Sequence, residues 1–183
     1  MIDSQQASAA LDDINDVVQR VRQSRIYQIA SLIVVMWGVL VFAAYIAIYI
    51  WPRQGYMIWT IINLLGLVIS LTMGVFINRR SGTPRFPIRA LTTFLLIVAF
   101  GVFCSVVLGH FGSRQMTVFW ALYGMLFYAI AGLWFGYAFI VIAMCTTALT
   151  LIGYYYAGAA FLLWMAVAHG GGLIVGGLWM RRI

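Results

Sequence analysis

The side chain best suited to chemistry inside an apolar segment of this chain is His169, which precedes Gly170, Gly171 and Gly172. An imidazole changes charge near neutral pH, and an ionisable group in hydrocarbon is a default candidate for function. The letters His-Gly-Gly-Gly match an oxyanion loop of some esterases, but that loop needs a Gly-x-Ser-x-Gly elbow and an acid. We predict for His169 either an interhelical hydrogen bond to a Thr, a Tyr or a backbone carbonyl, or a functional role within the membrane.

Carboxylates are confined to the start of the chain, at Asp3, Asp12, Asp13 and Asp16. The chain has no Glu and no Lys, and its eleven cationic side chains are all Arg. General acid–base catalysis and proton relays in membranes use ionisable carboxylates, and a retinal Schiff base needs a lysine amine. The composition therefore excludes these mechanisms for the apolar part of the chain.

The remaining metal-binding side chains are His110, Cys104 and Cys145. His110 ends one apolar run and His169 lies about 11 residues inside another, so about 16 Å of helix rise separates the two imidazoles, too far for one haem iron. The two cysteines differ in depth by about 10 Å, beyond the ~7 Å limit for a disulfide, and we expect both to be buried as small apolar residues. We predict no catalytic residue, no metal and no cofactor, and hence a protein that is not an enzyme.

Membrane-spanning helices must position these residues, because 64% of the chain is hydrophobic and only 8% is charged. A spanning helix needs ~20 predominantly apolar residues. The break between the fourth and fifth spans is placed at Gly132 and Gly136, which lie beside interface aromatics. We predict an all-α polytopic integral membrane protein with six transmembrane helices, at about 26–50, 57–78, 90–110, 116–134, 138–156 and 158–180.

The arginines predict the orientation, because positively charged loops stay in the cytoplasm. With the N-terminus inside, only Arg53 and Arg114 lie on the outer side. The cytoplasmic side then holds Arg20, Arg22, Arg25, Arg79, Arg80, Arg85, Arg89, Arg181 and Arg182. The sequence thus predicts a multi-pass protein of the plasma (inner) membrane with both termini cytoplasmic.

Residues 1–25 form a separate cytoplasmic segment ahead of the transmembrane domain, 26–183. Leu11, Ile14, Val18 and Val21 give it an apolar stripe with helical spacing. Such a helix either rests on the bilayer or extends the first span, or it docks on another protein. Its acidic first half would be repelled by anionic lipid, which favours a protein partner or self-association.

Small residues recur every fourth position in the second and sixth spans, and each strip precedes an Arg pair. Such strips let helices approach closely, so we expect the even-numbered helices to form the packing core of three sequential hairpins. The alternative is that the strips line a pore or form a dimer seam. The predicted packing residues are Gly66, Ser70, Gly74, Ala168, Gly172 and Gly176.

The Arg-rich cytoplasmic edges contact lipid headgroups or a partner protein, and they are too short and too close to the bilayer to bind nucleic acid. These arginines are Arg79, Arg80, Arg85, Arg89, Arg181 and Arg182. The sequence favours an accessory or regulatory membrane protein that acts through protein–protein contacts or self-association. The alternative is a passive channel or carrier for a small neutral or apolar solute, along a weakly polar path of Thr92, Thr93, Ser105, Thr146, Thr147 and Thr150.

Overall fold

The computed structural model describes residues 4–80, 88–107 and 111–182, and the side chains within them from residue 27 onward except 77–80, 89 and 90. The described residues are almost entirely helical and contain no strand. This agrees with a membrane solvent, in which each backbone polar group must be paired within its own segment. The helices are α1 (Ser4–Ile50), α2 (Gly55–Arg80), α3 (Ile88–Val107), α4 (Ser113–Phe135), α5 (Tyr137–Tyr156), α6 (Phe161–Met165) and α7 (Gly172–Met180).

Five helical segments are long and apolar enough to cross a membrane: Tyr27–Ile50, Pro52–Phe76, Ser113–Phe135, Tyr137–Tyr156 and Gly158–Met180. We call the last of these the final span. The third predicted span corresponds to the shorter apolar helix Leu91–Val107, and its predicted end at 108–110 lies outside the described residues. The structure therefore supports a multi-pass helical membrane protein with five such helices among the described residues.

The N-terminal segment continues without a break into the first span, because α1 runs from Ser4 to Ile50 over 47 residues. At 1.5 Å per residue it is about 70 Å long, more than twice the ~30 Å hydrocarbon core. Extension of the first span is one of the arrangements predicted for residues 1–25. The side chains of 4–26 are outside the described set, so the predicted amphipathic stripe and its protein contact stay predictions.

The break between α4 and α5 lies at one of the two glycines predicted to mark it. Gly136 separates α4 from α5 with a φ of 123°, a conformation that a side chain disfavours. The hydroxyl of Tyr27 on α1 occupies the space that a Cβ at Gly136 would need. The break between the fourth and fifth predicted spans is therefore confirmed, and it depends on both the backbone conformation and the contact with α1.

The closest helix pair is α1 and the final span, which run antiparallel. A Cβ at Gly170 would lie 2.7 Å from the Cα and N of Phe42, and one at Gly38 would lie 2.8 Å from the N of Ile174. Gly177 approaches α1 in the same way. Backbones this close have room only for glycine, so these residues hold the two helices together in the middle of their apolar segments.

We call α1 from Tyr27, α4, α5 and the final span the packed group, and α2 and α3 the lateral helices. Of the most apolar stretch of each helix, 39% is buried in α5 and in the final span, and 28% in α1, but only 6% in α2. The expectation that the even-numbered helices form the core is therefore wrong for the second span. The first helix, an odd-numbered one, is central instead.

Candidate functional site

The candidate site lies where the final span departs from α-helical geometry. Residues Ala166–Gly171 form a π-helical segment between α6 and α7. Such π-turns are rare and frequently occur at functional sites. The segment lies against α1, since Gly170 meets the backbone of Phe42. It carries His169, which is 7% exposed.

His169 lies beside the aromatic ring of Tyr45. Its ring centroid lies 6.1 Å from that of Tyr45 on α1, and Tyr45 packs edge-on against Trp59 of α2 at 5.3 Å. The Nδ1 atom of His169 is buried and has no hydrogen-bond partner. The predicted interhelical hydrogen bond is therefore absent at Nδ1, because the neighbouring α1 face offers an aromatic ring at this depth.

Two hydroxyls of α5 are buried close to the π-helical segment. Thr146 lies against the final span, with its Oγ1 3.3 Å from the position of a Cβ on Gly172. Thr150, one turn further along the same face of α5, is fully buried and its Oγ1 has no hydrogen-bond partner. His169 and Thr150 thus lie on the same side of the Thr146–Gly172 contact, each with an unpaired buried polar atom.

The other residues of the predicted polar path do not join this cluster. Thr92 is exposed on α3 and donates to the carbonyl of Ile88, while Ser105 donates to the carbonyl of Gly101 in its own helix. Thr147 is only half-buried. Within the described part of the chain, the predicted residues therefore do not line one continuous path.

Metal-binding side chains are scattered. Among the described residues, no three His, Cys, Asp or Glu side chains come together, and His110 lies outside these residues. A single imidazole with two hydroxyls supplies one strong metal ligand, fewer than the three or four protein ligands of a zinc site. The expectation that both cysteines are buried is wrong, since Cys145 is exposed and Cys104 is half-buried.

Sequence reasoning missed the role of Arg114, which ties the start of α4 to the corner between α5 and α6. Its Nη2 donates to the carbonyls of Tyr154 at 2.7 Å and Gly153 at 3.0 Å, and its Nη1 donates to that of Gly158 at 3.3 Å. The guanidinium carbon also lies 4.5 Å from the ring centroid of Phe161. The last carbonyls of a helix carry partial negative charge, so a cation is stabilised there without any carboxylate.

At the opposite end of the packed group, Arg181 closes α7 onto α1. Its Nε donates to the Oγ of Ser31 at 3.1 Å, and that hydroxyl donates to the carbonyl of Gln28 at 2.9 Å. An open groove of about 340 Å³ is lined by Gln28, Leu32 and Arg181. Arg182 beside it is exposed, whereas the side chains of Arg79, Arg80, Arg85 and Arg89 are outside the described set.

The predicted packing strips contact side chains. In the second span, Gly66 lies under the ring of Trp37, and the Trp37 indole N–H donates to Ser70 Oγ at 3.2 Å. Gly74 is half-buried.

In the final span, Ala168 is buried, Gly172 meets Thr146, and Gly176 lies against Ile142. Backbone meets backbone instead at Gly38 and Gly170, which the four-residue pattern did not select.

Comparison of the chain with protein-family models, curated proteins and solved structures finds no match. Among the described residues there is no nucleophile paired with a base and no carboxylate beside His169.

Proposed function

We propose that this chain is a small accessory or regulatory protein of a bacterial-type plasma (inner) membrane, that it acts through contacts with other proteins or with itself, and that it is not an enzyme. The observation that carries the proposal is the close contact of α1 with the final span at the depth of His169. A Cβ at Gly170 would meet the Phe42 backbone at 2.7 Å, which leaves no room for a solute between these helices. We therefore place the action of the protein at its surface rather than along a path between these two helices.

The described residues contain five apolar helices long enough to span a membrane, and the proposed topology adds a sixth span. We propose six spans arranged as three sequential hairpins, with both termini cytoplasmic. The 20 residues of α3 extend about 30 Å, enough to cross the hydrocarbon core. The arginine distribution supports this orientation, because positively charged segments stay in the cytoplasm. With both termini cytoplasmic, Arg181 lies on the cytoplasmic side and Arg114 on the opposite side.

A second candidate, a passive channel or carrier for a small neutral or apolar solute, is favoured by one observation. The Nδ1 of His169 and the Oγ1 of Thr150 are both buried without a partner. Unsatisfied buried polar groups call for an explanation, and a polar ligand or a water molecule would provide one.

Two variants separate the candidates. Deletion of residues 1–25 should release a co-purifying protein while leaving the transmembrane domain folded. If the protein works through contacts, His169→Ala should leave the co-purifying protein bound and the transmembrane domain folded. If the protein is a carrier, His169→Ala should abolish solute flux. Purification in a mild detergent, followed by mass spectrometry and flux assays in liposomes, gives both readouts. If neither variant changes either readout, the partner contact through residues 1–25 and the carrier are both wrong.

A further inference from the structure

Several threonine hydroxyls in the described apolar helices are hydrogen-bonded within their own helix. Thr60, Thr72 and Thr117 each donate to a backbone carbonyl three or four residues earlier. A hydroxyl has one proton to donate, so this single bond satisfies it as a donor. These side chains therefore need no partner from outside the helix.

Asn63 on α2 differs, because a carboxamide has two N–H donors and an acceptor oxygen. One N–H donates to the carbonyl of Trp59 at 2.8 Å, one turn earlier in α2. The second N–H and the oxygen have no partner among the described residues, and the side chain is exposed. Asn63 lies near the centre of the 25-residue apolar segment Pro52–Phe76, where the bilayer holds no water.

The helix surface around Asn63 is open. Thr60, one turn before it on the same side of α2, is exposed, and Leu64 beside it is 58% exposed. Lipid tails offer no hydrogen bond to an amide, whereas Asn side chains form hydrogen bonds between membrane helices. An amide is also self-complementary, since it donates and accepts in one plane.

A second copy of this chain in the same orientation brings an identical amide to the same depth. We propose that α2 forms a two-fold homodimer interface, in which the carboxamides of Asn63 from the two copies hydrogen-bond to each other. Such an interface is isologous, so one polar residue at its centre satisfies both subunits. The inference depends on the self-association included in the proposed function, and it locates the contact.

The strength of the contact is tested with full-length protein in liposomes, by energy transfer between differently labelled copies at increasing dilution in lipid. Asn63→Leu should raise the dimer dissociation constant about 3- to 30-fold. Asn63→Gln, which keeps the amide, should restore part of the affinity. Thr72→Val is the matched control, because the Thr72 hydroxyl is satisfied within α2, and it should leave the constant unchanged.

The position of the contact is tested by cross-linking in membranes, in a chain whose Cys104 and Cys145 are replaced by Ala. Thr60→Cys should form a disulfide-linked dimer on oxidation. Ile61→Cys, which is at nearly the same depth but on the opposite side of α2, should not.

The two experiments together decide whether the interface, and self-association itself, are correct. A weaker dimer only for Asn63→Leu, with cross-linking only at Thr60→Cys, supports the interface. A dimer that is unaffected by Asn63→Leu, or that cross-links at Ile61→Cys instead, overturns the interface but leaves self-association standing. A chain that is monomeric at every lipid dilution overturns the interface and removes self-association from the proposed function.

Discussion

The final span and α2 are equally apolar, yet one is embedded in the protein and the other is hardly covered. The mean hydropathy is 1.7 for Gly158–Met180 and 2.0 for Pro52–Phe76, but the buried share falls from 39% to 6%. In a membrane, apolar side chains do not drive helices together, because lipid is as apolar as leucine. Burial is decided instead by glycines that let backbones meet and by polar groups that link helices.

The contacts of the two regions show this difference. The final span meets α1 at Gly170 and Gly177 and is closed at its end by Arg181. By contrast, α2 is held to α1 by the Trp37–Ser70 hydrogen bond and by Gly66 under the indole ring. Substitutions in the packed group should therefore lower stability strongly, whereas substitutions in α2 should lower it less. The surface of α2 is also available for contacts.

The largest effect is expected at the helix crossing. Gly170→Leu should lower the free energy of unfolding by about 3 kcal/mol, because the side chain must displace the backbone of Phe42. Unfolding by a denaturing detergent measures it. Gly124→Leu is the control, since nothing lies within 4 Å of a Cβ there, and it should change stability little. Equal losses of unfolding free energy for Gly170→Leu and Gly124→Leu would show that the contact at the helix crossing is not what makes Gly170 important for stability.

The next effect is expected at the end of α5. Arg114→Gln should cost about 2 kcal/mol, because the carbonyls of Gly153 and Tyr154 lose a charged donor. Arg114→Lys should retain part of the stability, since an ammonium keeps the charge but not the fork geometry. The same unfolding assay, with the exposed Arg53→Gln as control, measures these effects. A loss for Arg53→Gln as large as for Arg114→Gln would contradict the assignment.

A smaller effect is expected between α1 and α2. Trp37→Phe removes the N–H that donates to Ser70 and should cost about 0.6–1.5 kcal/mol, in the range of hydrogen bonds between membrane helices. Ser70→Ala should cost a similar amount, and the double variant should cost less than the sum. Strict additivity in this double-mutant cycle would show that the two side chains are not coupled.

Part of the fold and of these contacts could be predicted from the sequence. Hydropathy located the apolar helices, and Gly136 marked the break between α4 and α5 because a positive φ requires glycine. The four-residue strip through Ala168 and Gly172 did not select Gly170, because Gly170 lies on another face of the final span. Gly172 and Gly176 face α5, whereas Gly170 and Gly177 face α1. The Arg114 contacts were also beyond the sequence, because their acceptors are backbone carbonyls that every residue carries.

Within the transmembrane domain, we expect this protein to meet other proteins or a second copy of itself at α2 and not at the exposed faces of the packed group. A photo-crosslinking amino acid placed at Leu64 of α2 or at Leu126 of α4 tests it in intact cells. Both positions are near the middle of an apolar helix and are 58% and 53% exposed, so their access to lipid is matched. We expect a cross-link to protein from Leu64 and to lipid alone from Leu126. Lipid alone from both positions, or protein only from Leu126, would contradict it.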